Sequence, residues 1–224
     1  MNLAHHEKGL YLPFSENRGH VLVIEHTRML SDVMQELYAQ SEGKEGGFVV
    51  AQDAQLFRFS QTVAVILEPF SLQCNEKKRI TALYKHLEEE AITQLYPETL
   101  ALHAQILHYI EKLFVHLPYP LVCADTLDLS ALWKAVQIAF DDAAENLCES
   151  ILHYLQILAT FTKIRIVIFL HLKTYLSPAE LQEIYQYAFY QKLYLLLIES
   201  HMHDKIDCED IWIIDSDLCM ISFS

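Results

Sequence analysis

The sequence predicts an α/β fold, built on a mostly parallel sheet and interrupted by an inserted helical domain. Three observations carry that expectation. Residues 161–200, FTKIRIVIFLHLKTYLSPAELQEIYQYAFYQKLYLLLIES, read as a basic edge, an apolar run, a capped helix and a second apolar run. The two apolar runs, IRIVIFL and LYLLLIES, show no polar alternation, which suits strands covered on both faces rather than strands lying on water. A similar strand-to-helix order opens the chain, and a long stretch of amphipathic helical periodicity separates the two regions.

From the N-terminus, Val21–Ile24 forms a short apolar strand. The helix after it has Leu30, Val33, Met34, Leu37 and Tyr38 on one face. Residues 41–47, SEGKEGG, form a loop of flexible composition. Residues 71–160 read as an insertion of four helices. The first opens at Glu76-Lys77-Lys78-Arg79, carries Ile80, Leu83, Tyr84 and Leu87, and stops near Tyr96-Pro97, where proline breaks the hydrogen-bond ladder. The second restarts after Glu98, with Ile106, Ile110, Leu113, Phe114 and Leu117 as its stripe, and ends in Leu117-Pro118-Tyr119-Pro120. The third runs through Leu132, Trp133, Val136 and Phe140, and the fourth through Leu147, Ile151, Tyr154, Leu155 and Leu158. In the βαβ unit that follows, Ser177-Pro178-Ala179-Glu180 places an N-cap serine, a proline at the first helical position and a glutamate three residues on. Leu181, Ile184, Tyr185, Ala188 and Phe189 then share the buried face. His5-His6 is read as surface near a frayed end. The division expected is 1–70 with 161–224 for the α/β domain and 71–160 for the helical one.

At 224 residues and 52% apolar, the chain has enough core for one or two domains. The opening MNLAHHEKGLYLPF has no long apolar segment, and no apolar run reaches about 18 residues without a charge, so a cytoplasmic protein that does not span a membrane is expected. Five cysteines, Cys74, Cys123, Cys148, Cys208 and Cys219, are odd in number and lack a CxxC pair, which predicts free thiols. The net charge of −14 excludes a protein that coats nucleic acid with its whole surface, because that affinity comes from Lys and Arg displacing counterions. Any contact with DNA must be local. Between Ile151 and Ala179 there is no Asp or Glu, while Lys163, Arg165 and Lys173 are present. From Glu199 to Asp217 the balance reverses, with Glu199, Asp204, Asp207, Glu209, Asp210, Asp215 and Asp217 against Lys205 alone.

No catalytic pattern stands out. Gly43-Lys44-Glu45-Gly46-Gly47 follows a helix instead of a strand and lacks the Lys-Ser/Thr of a phosphate-binding loop. There is no GxSxG elbow and no cysteine in a presenting context. The one cluster with metal-ligand chemistry is His201-Met202-His203-Asp204, followed by Asp207, which would serve as a fourth ligand, and Asp210, though no HExxH or CxxC spacing accompanies it.

The pairing of VLVIEHTRMLSDVMQELY near the N-terminus with YLQILATFTKIRIVIFLHLKTYLSPAELQEIYQYA near the C-terminus resembles the ring-forming spacer-adaptation proteins of type II-A CRISPR systems. The resemblance extends over nearly the whole chain, and its most specific part is KIRIVIF followed by TYLSPAEL. It implies an α/β head related to the P-loop fold without its nucleotide chemistry, a helical leg, and a homotetrameric ring whose basic hole holds double-stranded DNA. Lys163 and Arg165 match the basic positions before the penultimate buried strand, Lys173 extends that island, and Lys77, Lys78 and Arg79 lie where the leg carries basic residues. An acidic exterior with a basic lumen would favour free DNA ends, and the absence of aromatic interleaving implies phosphate contacts without sequence readout. The integrase complex and the effector nuclease of the same system are the implied protein partners.

The resemblance also implies calcium near the head–leg junction, but only Asp125 and Asp128 stand there as carboxylates, in HLPYPLVCADTLDL, against the about six to eight oxygens the ion takes. The expectation is therefore a non-catalytic DNA-end binder without nucleotide and with calcium in doubt. The rival readings are a divalent-metal enzyme using His201, His203 and Asp204, and an acidic scaffold that binds protein only.

Overall fold

The computed structural model describes residues 1–223. In chain order the elements are β1 (Asn2–His5), β2 (Leu10–Pro13), β3 (Gly19–Ile24), α1 (Thr27–Ser41), β4 (Phe48–Gln52), β5 (Gln55–Phe57), α2 (Phe59–Thr62), β6 (Val63–Ile66), α3 (Lys77–Thr93), α4 (Tyr96–Val115), α5 (Leu129–Ala135), α6 (Leu147–Phe161), β7 (Ile166–Leu170), α7 (Pro178–Tyr190), β8 (Tyr194–Glu199), β9 (Glu209–Ile214) and β10 (Met220–Phe223). The chain divides into two compact units, residues 1–74 with 142–224, and residues 75–141.

The first unit holds a six-stranded sheet in the order β10-β9-β3-β8-β7-β6. Its strands β9, β3, β8, β7 and β6 are parallel, and β10 alone pairs antiparallel. Every residue of β3 and the first four of β7 are buried, which is why these runs show no alternation in sequence. The capping box of α7 forms as its sequence specifies: the Ser177 hydroxyl accepts from the Glu180 amide, and the Glu180 carboxylate accepts from the Ser177 amide at 2.8 Å.

A second sheet, antiparallel and in the order β2-β1-β4-β5, is built from segments to which the sequence pattern assigns no element. Its strands have three to five residues, too few for alternation to stand out. Leu3, Leu10, Leu12, Phe48 and Val50 from this sheet join Val33, Met34 and Leu37 of α1 and inner residues of the large sheet in one core cluster. His5 is part of β1 and buried, not frayed, and its ring pairs with Glu36 at 2.9 Å.

The helical unit is shorter than expected. The helix α6 belongs to the sheet-bearing unit, where Cys148, Ile151, Tyr154, Leu155, Ile157 and Leu158 are buried and the helix packs on α7. Residues 75–141 hold α3, α4 and α5. Pro97 opens α4 from its first turn, where a missing N–H goes unnoticed, and α5 ends at Ala135, so Phe140 lies beyond it. The amide of Phe140 is held instead by the side chain of Asn75, and Tyr84 donates its hydroxyl hydrogen to the Ile138 carbonyl.

One buried group gives the large sheet a pH dependence. His20, fully buried in β3, accepts the Ser15 amide at Nε2 and so donates from Nδ1 to the Leu195 carbonyl, with its ring stacked on Trp212. Burial lowers its pKa from 6.5 to about 4, against the weaker pull of Asp210 and with Arg18 acting in the same direction as burial. The unfolded chain therefore binds a proton below pH 6.5 that the folded chain refuses until about pH 4, and stability present above 6.5 is lost as pH falls between these values. Between about pH 7 and 4.5 this amounts to about 2–3 kcal/mol, from about 1.4 kcal/mol per unit. Urea unfolding of the wild type and of His20→Gln should diverge by that amount over this range; parallel profiles would remove His20 as the cause.

Candidate nucleic-acid interface

The two basic residues singled out before β7 are set by backbone geometry on both sides. Thr162 closes α6, its hydroxyl donating to the Leu158 carbonyl and accepting the Ile164 amide, so the chain leaves the helix in an extended conformation at once. Arg165 then donates its amide to the Thr62 carbonyl and accepts the Tyr194 amide, tying the starts of β6, β7 and β8 together at 2.8 Å on each side. With both backbone groups engaged, the side chains of Lys163 and Arg165 point outward and are exposed.

They line a groove of about 650 Å³ in which two further cations, Arg58 and Lys192, also stand, together with Gln61, Thr162 and Gln191. None of the thirteen residues lining this groove is an Asp or a Glu, in a chain of net charge −14. Among the described residues none of these four cations makes an ion pair. Arg58 and Lys192 escaped the sequence reading because they stand alone in their segments. Only the pairing of β6 with β7 and of β7 with β8 brings them beside Lys163 and Arg165.

Lys173 is a correction to the basic island. Its side chain is only 4% exposed, and its ammonium donates to both carboxylate oxygens of Glu209 at 2.8 and 2.7 Å and to the Asp204 carbonyl at 2.9 Å. Glu209, fully buried, also accepts the Tyr185 hydroxyl at 2.7 Å and the Ile206 amide at 2.9 Å. Lys173 is thus a buried structural cation, turned away from any phosphate. In the helical unit Lys77 and Lys78 are exposed in the first turn of α3, whereas Arg79 is buried and bonded to Glu76 at 3.0 Å. Arg79 is therefore no open phosphate contact.

The metal-ligand expectations fare differently. His201 and His203 face each other with ring centres 4.3 Å apart, but Asp204 offers Lys173 its backbone carbonyl and Asp207 is exposed. Glu199, which no motif had marked, is buried at the end of β8 with Oε2 3.4 Å from His203 Nε2 and 3.6 Å from His171 Nδ1, while His201 Nδ1 lies 3.2 Å from the Ser200 hydroxyl. Burial raises the Glu199 pKa to about 7 and lowers those of His171 and His203. Among the described residues no group of three or more His, Cys, Asp or Glu is arranged to hold a metal ion. Calcium finds no matching set either: Asp125 is exposed, and Asp128 caps α5 by accepting the Ala131 amide at 2.9 Å, while the residues before them are apolar or proline. Two carboxylates, one of them engaged in capping, do not fit an ion that takes about six to eight oxygens.

The fold and the groove define a class: an α/β platform carrying an inserted helical unit and a local basic surface on an acidic chain. A sequence profile of the CRISPR-associated proteins called Cas_Csn2 matches residues 40–218, and the chain belongs to that family. In fold it is similar to Stu0660 of Streptococcus thermophilus, with a TM-score of 0.62 at 14% sequence identity, covering 96% of this chain and 75% of that one. No curated protein matches it in sequence. Among the described residues no helix is long and apolar enough to cross a membrane.

Proposed function

We propose that the chain is a non-catalytic homotetrameric ring that takes the ends of double-stranded DNA into a basic central hole and assists spacer acquisition, alongside the integrase complex and effector nuclease of its CRISPR system. The family supports the CRISPR role. The observation that carries the DNA reading is the carboxylate-free groove with Lys163 and Arg165 exposed in it, on a chain with 30 acids against 16 Lys and Arg. A surface of that kind attracts a polyanion where the remainder of the molecule repels it. Its ammonium and guanidinium groups suit phosphate oxygens, the contacts that position a duplex without reading its sequence. No step of this reading passes through calcium or a nucleotide.

A ring must load by threading, which makes topology the test. Sizing should return a species of about four times the 26.0 kDa chain, and this species should bind linear duplex while leaving covalently closed circles of the same sequence unbound. A monomer removes the basis for threading. Equal binding to circles and linear duplex would mean an open surface and no ring. Failure to bind either DNA would favour the protein-only scaffold.

A further inference from the structure

Four of the five parallel strands enter the large sheet beside a cation; the fifth, β9, enters on Glu209 and Asp210, and Glu16 stands before β3. Arg18 precedes β3, Arg58 opens the α2 turn into β6, Lys163 and Arg165 precede β7, and Lys192 precedes β8. At the far ends stand Glu25 after β3, Glu68 after β6, Glu199 closing β8 and Asp215 after β9. Arg18 is held by Asp210 at 2.6 Å and by the Glu209 carbonyl, whereas among the described residues the other four of these cations make no ion pair.

Parallel α/β sheets ordinarily receive phosphates at the carboxyl edge, where helix N-termini offer amides. Here that place is closed. The connection from β3 to α1 is Glu25-His26, an exposed acid followed by an imidazole that already accepts the Met29 amide at 3.2 Å. A phosphate there would meet a carboxylate where a phosphate-binding loop presents free donors.

We infer that the DNA backbone runs across the amino edge of the parallel sheet, over the starts of β6, β7 and β8, and that Arg58 and Lys192 hold its phosphates together with Lys163 and Arg165. This rests on the DNA reading above and extends it to an edge and to two residues.

Cations past helix C-termini are also favoured by the helix dipole, and this would account for Lys163 after α6 and Lys192 after α7. It does not account for Arg58, which stands at the opening of a helix, where a cation gains nothing from the dipole. Nor does it suit the backbone at Lys192, which lies at φ 57°, in the left-handed region where glycine is the easy residue. Lys192 is an exposed lysine in that conformation; it lines the acid-free groove and also, with Arg165, a neighbouring pocket that includes Glu16.

The experiment measures anisotropy of a labelled linear duplex at several salt concentrations. The variants are Arg58→Gln with Lys192→Gly, and, as a carboxyl-edge control, Arg28→Gln, an exposed residue in the first turn of α1. Affinity varies as salt to about the −0.9 power per phosphate contact, so losing two contacts should weaken binding at least about 60-fold at about 0.1 M salt and flatten the log–log slope by about 1.8. Lys192→Gly should at the same time leave urea stability equal or higher, because glycine relieves the left-handed backbone, whereas a purely structural lysine would show no change in DNA affinity. Arg28→Gln should bind like wild type. Unchanged affinity and slope in the double variant, with wild type binding well, overturns the inference; so does a loss confined to Arg28→Gln. A wild type that binds no duplex at low salt sinks the DNA reading itself, a result distinct from either.

Discussion

Lys173→Met is expected to destabilise the protein by about 3–5 kcal/mol, the range for breaking a buried ion pair from one side. The lysine and Glu209 are both withdrawn from water; the ammonium makes three contacts, two to that carboxylate and one to the Asp204 carbonyl, and two further donors, the Tyr185 hydroxyl and the Ile206 amide, point at the same carboxylate. Removing the ammonium leaves Glu209 with the Tyr185 hydroxyl and the Ile206 amide but without a counter-charge, in a place where water cannot supply one. The segment from 200 to 208 that crosses from β8 to β9 is fastened through the same lysine, so its amides should exchange faster as well. Urea unfolding is the measurement. Lys173→Met combined with Glu209→Gln should recover much of the loss, because the double variant buries no uncompensated charge. A loss below about 1 kcal/mol for the single variant would mean that the pair is open to solvent and behaves like a surface salt bridge.

Reversing the charge of Lys163 and Arg165 together, to Glu, is expected to produce the largest loss of DNA binding. Two phosphate contacts contribute roughly 60-fold through counterion release at about 0.1 M salt, and two carboxylates facing phosphates add repulsion, so the loss should exceed about 100-fold. It should be uniform across sequences, since the contacts proposed for these two cations are to phosphates, which carry no sequence information. Folding should be little affected, because both side chains are exposed and the backbone bonds at Arg165 do not depend on its side chain. Competition binding on several unrelated duplexes, with the oligomeric state checked in parallel, is the test. Full affinity in the double variant would place the DNA elsewhere, and a sequence-dependent loss would mean base contacts.

How much of this could be read without coordinates depends on how local each cause is. The strands β7 and β8, the helix between them and its start were legible because each is dictated within one contiguous segment: unbroken apolar runs for burial on both faces, and Ser177-Pro178-Ala179-Glu180 for the cap. The helix α6 was legible as a helix, but not as part of the sheet-bearing unit. Amphipathic periodicity reports that a face is buried and says nothing of what buries it. The four-stranded sheet was missed for the related reason that its strands are shorter than the window in which alternation can be recognised.

The site divides along the same line. Lys163 and Arg165 could be chosen from sequence because an acid-free stretch surrounds them, and the structure leaves both exposed. Lys173 belongs to that same stretch and has the same residue chemistry, yet its environment is decided by Glu209, 36 positions away, which the crossing from β8 to β9 returns beneath it. Arg58 and Lys192 were invisible singly and become neighbours of Lys163 and Arg165 only through parallel strand pairing. By itself, then, the sequence determined which segments must be buried, where a helix must start and which family the chain resembles, because those depend on residues a few positions apart. Which cations meet water and which meet a carboxylate was decided only by the tertiary structure, since burial and charge pairing are properties of distance in space, and strand order sets that distance.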